Sequence, residues 1–561
     1  MSMIYSRENH TADVLIVGGG IGGLTAAVSI KELDPKLDVI IVEKQTAGYS
    51  GKANKGGGVL QYFDLTRMKP EEFVAYHANA IGCFLGDQEL MATYVSMNNR
   101  MLDKLVEWGA RLPKRDDGSY AVIPTGPMTA IIGVDLDITL KLRQTAEKMG
   151  VKILDKITVS DLLTSGGKIA GAVGFSLLDG KFHTFSAKAV VLATGSQNYR
   201  IGPMWSSGRG DGIAAAYRAG AEMRNAEFGN FAQLVKVKSH QEVVYGENFM
   251  YNKQDVHVTK NFRTGPEPDI SSTAIEEWYH QISADQGPIT LKQEQASGGG
   301  LSGLWDRPYG QMFWRLNEES AAAVDTDMEV CPMLIGEQSP VKVGHDMMTS
   351  IPGLYAVGDV SYCGSAAPGA VPAPPGRNRG SGILNAVFAG MMCAESAAET
   401  ARKTEFPPVD ENQVDTCAER AYAPMRRENG VKAKDVVRLV QKAVGPMEQS
   451  VYMSAHRIET ALRYVEKAKE QLGMLQADDF HELLNCHEAE AAVLSAEMQF
   501  KAARMRTESR GWFLREDYRD TDNENWLKWI IVKKQGDKMA LSTEDVPWEK
   551  WPVKPDFTNS K

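Results

Sequence analysis

Gly18, Gly20 and Gly23 lie in the run Gly18-Gly-Gly-Ile-Gly-Gly23, and an acid, Glu43, follows 20 residues after the last of them. That spacing suits one piece of chemistry, the holding of an adenine dinucleotide by its pyrophosphate and ribose. Gly18 makes the tight turn, Gly20 lets the backbone close on the pyrophosphate, and Gly23 lets a helix pack closely on a strand. The phosphates then sit on a helix N-terminus, and Glu43 accepts from ribose hydroxyls. Gly22 and Lys44, inside and beside these positions, join the same candidate set.

More small residues follow in Tyr49-Ser-Gly-Lys-Ala-Asn-Lys-Gly-Gly-Gly58, which suits close backbone approach to a planar ligand. Ser50, Lys52, Asn54, Gly57 and Gly58 are its candidates. Ala193-Thr194-Gly195 ends an apolar run in a tight turn, and Asp211 opens a helix after Gly210. Gly358-Asp359 ends another apolar run at an acid that can accept from sugar hydroxyls. Ser381, Gly382 and Ile383 begin an alanine-rich stretch whose positive helix end suits negative charge on a ligand. For an anionic substrate, Arg377 and Arg379 follow a Pro/Gly-rich segment, and their planar forks match a carboxylate or sulfo group. Lys236, Lys238 and His240 form a second basic stretch.

These residues need elements to carry them. The apolar run 13–17 predicts a buried strand, 24–32 a helix, and 39–42 a second strand ending at Glu43. Helix-rich sequence continues to about residue 150. Residues 167–187 alternate like a small sheet with a turn at Asp179-Gly180, and Ala189-Val-Val-Leu-Ala-Thr-Gly195 is another buried strand. From 227 to 343 aromatic, glycine and charged residues mix without long periodicity, which predicts an inserted domain with a loop at Ser297-Gly-Gly-Gly300. The segment 353–359 returns to strand, 368–376 must be irregular because of its prolines, and 381–400 is helical. Beyond Pro407-Pro408 the spacing is helical, with an aromatic, charged tail from Gly511. The expected boundaries are 1–226, 227–343, 344–400 and 401–561.

The chain has 561 residues, 43% hydrophobic and 24% charged, ordinary for a globular protein of several domains. A net charge of −10 argues against a nucleic-acid surface or an anionic-membrane anchor. No apolar run reaches the length of a membrane span, and the polar start predicts a cytoplasmic protein. The six cysteines include no CxxC pair, so no iron–sulfur cluster or zinc ribbon is expected within the chain, and no metal site is assigned.

Taken together, the motifs resemble the flavoprotein subunit family of succinate dehydrogenase, fumarate reductase, L-aspartate oxidase and adenylylsulfate reductase. The resemblance is carried by 18–23, Glu43-Lys44, 193–195, Gly210-Asp-Gly212, Thr349-Ser-Ile-Pro-Gly-Leu-Tyr-Ala-Val-Gly-Asp359, and a tail with Glu508-Ser-Arg-Gly511, Arg515-Glu-Asp-Tyr518 and Asn525-Trp526. It implies an α/β fold: a Rossmann-like FAD-binding domain, an inserted α+β capping domain that is mobile, and a C-terminal helical domain. It implies hydride or electron transfer between FAD and a small anionic substrate held between the flavin and the cap. It also implies a separate ferredoxin-like iron–sulfur subunit as electron partner. Glu508, Arg510 and Arg515 are expected to form ion pairs that join domains.

Departures from the family pattern are informative. The histidine that binds FAD covalently in succinate dehydrogenases corresponds to Gly51, which excludes attachment there. The dicarboxylate-binding histidine corresponds to Ala232 in Glu227-Phe-Gly-Asn-Phe-Ala232. No proton-shuttling arginine segment follows Val237. Arg377 falls on the family's substrate arginine, with Arg379 its neighbour. In these departures the chain is most similar to the adenylylsulfate reductase branch. Two other functions remain open: a flavin electron relay with no small substrate of its own, and an NAD(P)H-dependent flavin reductase, which would be expected to carry a second complete GxGxxG.

Overall fold

The computed structural model describes residues 6–53, 58–80, 82–124, 128, 130–135, 137–201, 207–229, 231–237, 249–260, 271–292, 328–362, 381–511 and 513–557. At its centre, the strands Lys152–Asp155, Val39–Glu43, Arg7–Val17 and Phe182–Leu192 lie side by side in parallel. Leu354–Ala356 continues the parallel order on the far side of the last strand, pairing with residues 190–192. Their segments 14–17, 39–42, 189–192 and 354–356 are nearly all Val, Ile, Leu and Ala because both faces are covered there, as parallel sheets require. The helix Ile21–Leu33 crosses from the first strand to the second, and the helix Ser381–Lys403 packs against it. Close approach there depends on Gly390, where a Cβ would stand 2.8 Å from the Gly22 carbonyl oxygen.

Phe182–Leu192 is longer than the predicted strand, because the hairpin strand and the buried strand are one element. Its first half pairs antiparallel with Lys168–Ser176 and its second half with Leu354–Ala356. The turn at Asp179-Gly180 lies where expected. A further strand, Ile157–Ser165, extends the sheet to seven.

Within 227–343, Phe231–Lys236 pairs with Met328–Gly336, and the short strands Thr290–Leu291 and Met250–Tyr251 follow outward. The helix Ser271–Ser283 accompanies this sheet, so strands and a helix are mixed as expected. The expected loops at 297–300 and 368–376 lie outside the described residues.

Beyond Pro408 the helices Ala433–Val444, Ala455–Leu472 and Phe480–Met505 pack against one another, while the helix Glu411–Tyr422 lies on the strands Ile157–Ser165 and Lys168–Ser176. Helix is not the whole of this region. Lys528–Gln535 and Lys538–Asp545 form a hairpin that joins a five-stranded sheet through Met223–Arg224. The reason lies in the alternation: Ile530 and Val532 enter the core around the parallel sheet, while Leu527, Trp529 and Ile531 enter the second core. A strand that divides two cores reads as a plain apolar run, and its period of two is hidden. No helix among the described residues is long and apolar enough to cross a membrane.

Candidate functional site

The parallel strands end on one side at Val17, Glu43, Asp155, Leu192 and Ala356, and the candidate residues gather there. This is where open α/β sheets place ligands. Gly18 adopts φ +109°, and a Cβ on it would stand 2.4 Å from the Ala193 carbonyl oxygen. A Cβ on Gly23 would stand 2.0 Å from the Gly18 carbonyl oxygen. Both positions therefore admit only glycine. Gly20 differs: a Cβ there meets nothing within 4 Å. It precedes the helix Ile21–Leu33, whose first turn has no acidic residue and no side-chain cap. The free amides and positive dipole end thus face open space, as a phosphate requires.

Glu43 is buried under this turn. It accepts from the Gly19 amide at 2.8 Å and from the Gln45 amide at 2.8 Å, which fixes its carboxylate beside the glycine run. Around the opening, Gly195 has φ +76° with nothing near a Cβ, and a Cβ on Gly51 would meet only the Gly20 Cα, at 3.9 Å. The buried Thr194 hydroxyl and the Asn385 side-chain oxygen have no hydrogen-bond partner among the described residues. A glycine-lined opening with uncapped amides and unpartnered buried polar atoms fits a dinucleotide cofactor.

Lys52 reaches into the same end of the sheet. Its ammonium lies 2.6 Å from Glu337, 3.3 Å from Asp359 and 2.9 Å from the Ser196 hydroxyl. Burial opposes its charge, but the two carboxylates outweigh that and hold it protonated, above its ordinary range. Glu337 has φ +92°, a conformation that glycine prefers, in the chain leading back from the inserted domain. The Gly358–Val360 turn presents Asp359 to this lysine.

Lys44 and Asp211 pair with each other at 2.9 Å, and Lys44 also reaches Glu488 at 3.1 Å. Arg200 and Arg209 complete the group around Glu488, which ties the nucleotide end of the sheet to the helix Phe480–Met505. Ser50 turns its hydroxyl back to the Thr46 carbonyl, Gly58 returns the chain to the Val59–Tyr62 strand, and Ser381, Gly382 and Ile383 form the first turn of the Ser381–Lys403 helix. Ala193 is held by its amide to the Val17 carbonyl at 2.7 Å. Asn54, Gly57, Lys238, His240, Arg377 and Arg379 lie outside the described residues.

Sequence reasoning missed Ser196, Glu337 and Glu488. Glu337 follows a strand, but nothing in its neighbours announces a contact with a lysine 285 positions earlier. Ala232, in place of the family histidine, is wholly buried in the strand Phe231–Lys236. The tail residues form ion pairs, but local ones: Glu508 pairs with Arg506 at 2.7 Å and Arg510 at 2.8 Å, and Arg515 with Asp517 at 2.7 Å, while the links to distant segments run from Arg506 to Glu227 at 2.9 Å and from Arg510 to the Cys83 carbonyl.

Two family models match in sequence order: "FAD binding domain" over residues 13–242 and "Fumarate reductase flavoprotein C-term" over residues 444–559. A fumarate reductase flavoprotein subunit of Mycobacterium tuberculosis is 26% identical, with 96% of this chain and 98% of that protein covered. Among solved structures, a mutant of the E. coli quinol fumarate reductase FrdA chain superposes with a TM-score of 0.82 at 20% identity, covering 99% of this chain and 98% of the other. The adenylylsulfate reductase of Archaeoglobus fulgidus gives 0.77 at 21% identity, with 97% of each chain covered. At such identities the structures speak for the fold. The matched domains, their order and the end-to-end relatives lead to one conclusion: the chain is an FAD-dependent oxidoreductase built from an FAD-binding domain and a fumarate reductase flavoprotein C-terminal domain, similar over nearly its whole length to fumarate reductase flavoprotein subunits and L-aspartate oxidase.

Proposed function

We propose that this chain is the catalytic flavoprotein subunit of an oxidoreductase that acts on a small anionic substrate with non-covalently held FAD and exchanges electrons with a separate iron–sulfur protein. The observation that carries the proposal is the uncapped, acid-free start of the Ile21–Leu33 helix, facing open space beside Gly20, with Glu43 held by two amides next to it. Bound FAD supplies a carrier for two electrons at the end of the sheet.

The chain's own residues do the rest. The amides after Gly20 take the pyrophosphate, and Glu43 receives the ribose hydroxyls. Lys52 keeps a fixed positive charge between Glu337 and Asp359 and so sets the field at that end of the sheet. Arg377, with Arg379 beside it, binds the carboxylate or sulfo group of the substrate. Lys238 adds positive charge, and His240 beside it a ring that can hydrogen-bond the substrate. The cysteine pattern has no cluster motif, which favours a partner that carries the iron–sulfur centres.

Gly51 has no side-chain atom for attachment, so FAD is held without a bond at that position. Acid precipitation should leave the yellow colour in the supernatant; colour that stays in the washed pellet would overturn non-covalent binding. Ala232 removes the family's dicarboxylate histidine, so fumarate should be a poor acceptor from a reduced viologen beside an authentic fumarate reductase. The general test is single-turnover oxidation of the reduced protein by a panel of carboxylate and sulfo acceptors. Saturable reoxidation by one of them supports a substrate site. Reoxidation by a ferredoxin alone, with every small anion inert, would instead make the chain an electron relay.

A further inference from the structure

The opposite end of the sheet holds polar groups that the flavin chemistry does not use. Arg7–Val17 and Phe182–Leu192 run parallel with Glu8 opposite His183 and His10 opposite Phe185. Residues two apart on a strand share a face, so Glu8, His10 and His183 project together from neighbouring strands. His10 Nε2 lies 3.0 Å from His183 Nδ1 and 3.7 Å from Glu8 Oε1. The three donor atoms all fall within 4.8 Å of one another. Ligands about 2.0–2.1 Å from a tetrahedral ion stand roughly 3.3 Å apart, and the two shortest separations bracket that value.

Both imidazoles are buried, His10 at 8% and His183 at 5% exposure. Burial, together with nearby positive charge, holds both below the usual imidazole range. Glu8 closes the cluster at the rim, where its carboxylate also meets Lys181 at 3.3 Å. Its exposure leaves room for water as a fourth ligand. Phe185 stacks on His10 at 4.7 Å and fixes the ring's orientation. A buried pair of histidines from two strands, with a carboxylate at the solvent edge, matches a known pattern of zinc sites with one open position.

We propose that Glu8, His10 and His183 form a second site, remote from the flavin cradle, that binds one divalent cation of borderline softness such as zinc or cobalt. On binding, the proton now shared between the facing ring nitrogens moves to the outer nitrogen of its own ring. Both facing nitrogens then donate to the ion, Lys181 releases Glu8, and no proton is lost. The ion clips the first strand to the strand that leads into Ala193.

The test uses the FAD-loaded full-length protein, freed of metal by a chelator and titrated with cobalt(II) chloride. One equivalent should bind, with the visible absorption of tetrahedral cobalt, and zinc should displace it. Loss of an outer-sphere partner alone costs about 10–100-fold in metal affinity, so His183→Gln and Glu8→Gln should each weaken binding by at least about a hundredfold. Glu8 is exposed, so Glu8→Gln tests the site even where a buried histidine variant folds poorly. FAD content and the metal-free thermal midpoint of Glu8→Gln should match the wild type. Absence of saturable binding in the wild type, or wild-type affinity in Glu8→Gln, would overturn the proposal.

Discussion

Two buried ion clusters in this molecule look alike and differ in one respect. Around the tail, the guanidinium groups of Arg506 and Arg510 meet the carboxyl groups of Glu227 and Glu508, and all are essentially closed to solvent. Every guanidinium has further acceptors: Arg506 donates to the Trp526 and Lys528 carbonyls, and Arg510 to Cys83. At the sheet end, one lysine faces two carboxylates, with Lys52 at 15% and Asp359 at 11% exposure, beside the glycine-lined opening. A sealed network joins segments. One on the border of a cradle places charge where a ligand can sense it. Buried ion pairs add little net stability when intact and cost much when one partner is lost, so the two clusters should respond differently to the same kind of mutation.

The largest effect belongs to the sealed cluster. Glu508→Ala removes the carboxylate that Arg506 and Arg510 share, leaving Arg506 paired with Glu227, and should cost about 3–5 kcal/mol of stability, read as a lower urea midpoint. FAD retained by the folded fraction should stay normal. A loss under about 1 kcal/mol would show that the network contributes packing and little else.

Next comes the proposed substrate arginine. Arg377→Ala should cost about 1.5–3 kcal/mol in substrate binding and transfer, tenfold to a hundredfold in single-turnover flavin oxidation, with FAD content unchanged. Arg377→Lys should recover only part, because an ammonium lacks the planar fork. An unchanged rate in Arg377→Ala would move the role to Arg379.

Lys52→Met sharpens the comparison directly. It removes the positive charge that Lys52 places between Glu337 and Asp359, and the expected readouts are weaker FAD retention and a lower flavin potential. The stability loss should be smaller than for Glu508→Ala, about 1–3 kcal/mol, because this cluster borders solvent. A variant that loses only stability, with the flavin potential unmoved, would place Lys52 in the same structural class as the tail cluster.

The smallest effect is a change in the shape of the pH profile. Burial raises the proton affinity of Glu488, but Lys44, Arg200 and Arg209 outweigh it and hold the carboxyl below its ordinary range. A depressed folded pKa contributes stability above the unfolded value, about 4.5, that is lost as pH falls through the folded value. Wild-type stability should therefore fall below about pH 4.5, and Glu488→Gln should flatten that limb in urea titrations at stepped pH.

The cofactor end was legible because its requirements are local. A turn that admits only glycine at Gly18 and Gly23, and an acid at the end of the next strand, lie within a short stretch of chain. Apolar runs marked the parallel strands for the same reason, since burial on both faces leaves little room for polar residues. The strand Lys528–Gln535 was missed by that very logic: its alternation disappears because both faces are buried, in different cores.

The sequence by itself determined the nucleotide turn, the order of the domains and the absence of a histidine at Gly51 and at Ala232, because each depends on residue type at a position. Only the tertiary structure decided which charges meet. Lys52 and Glu337 are 285 residues apart, Lys44 and Glu488 are 444 apart, and His10 and His183 are 173 apart. Such pairs are set by sheet order and domain docking. A lysine bound for a buried carboxylate looks, in sequence, like one bound for water.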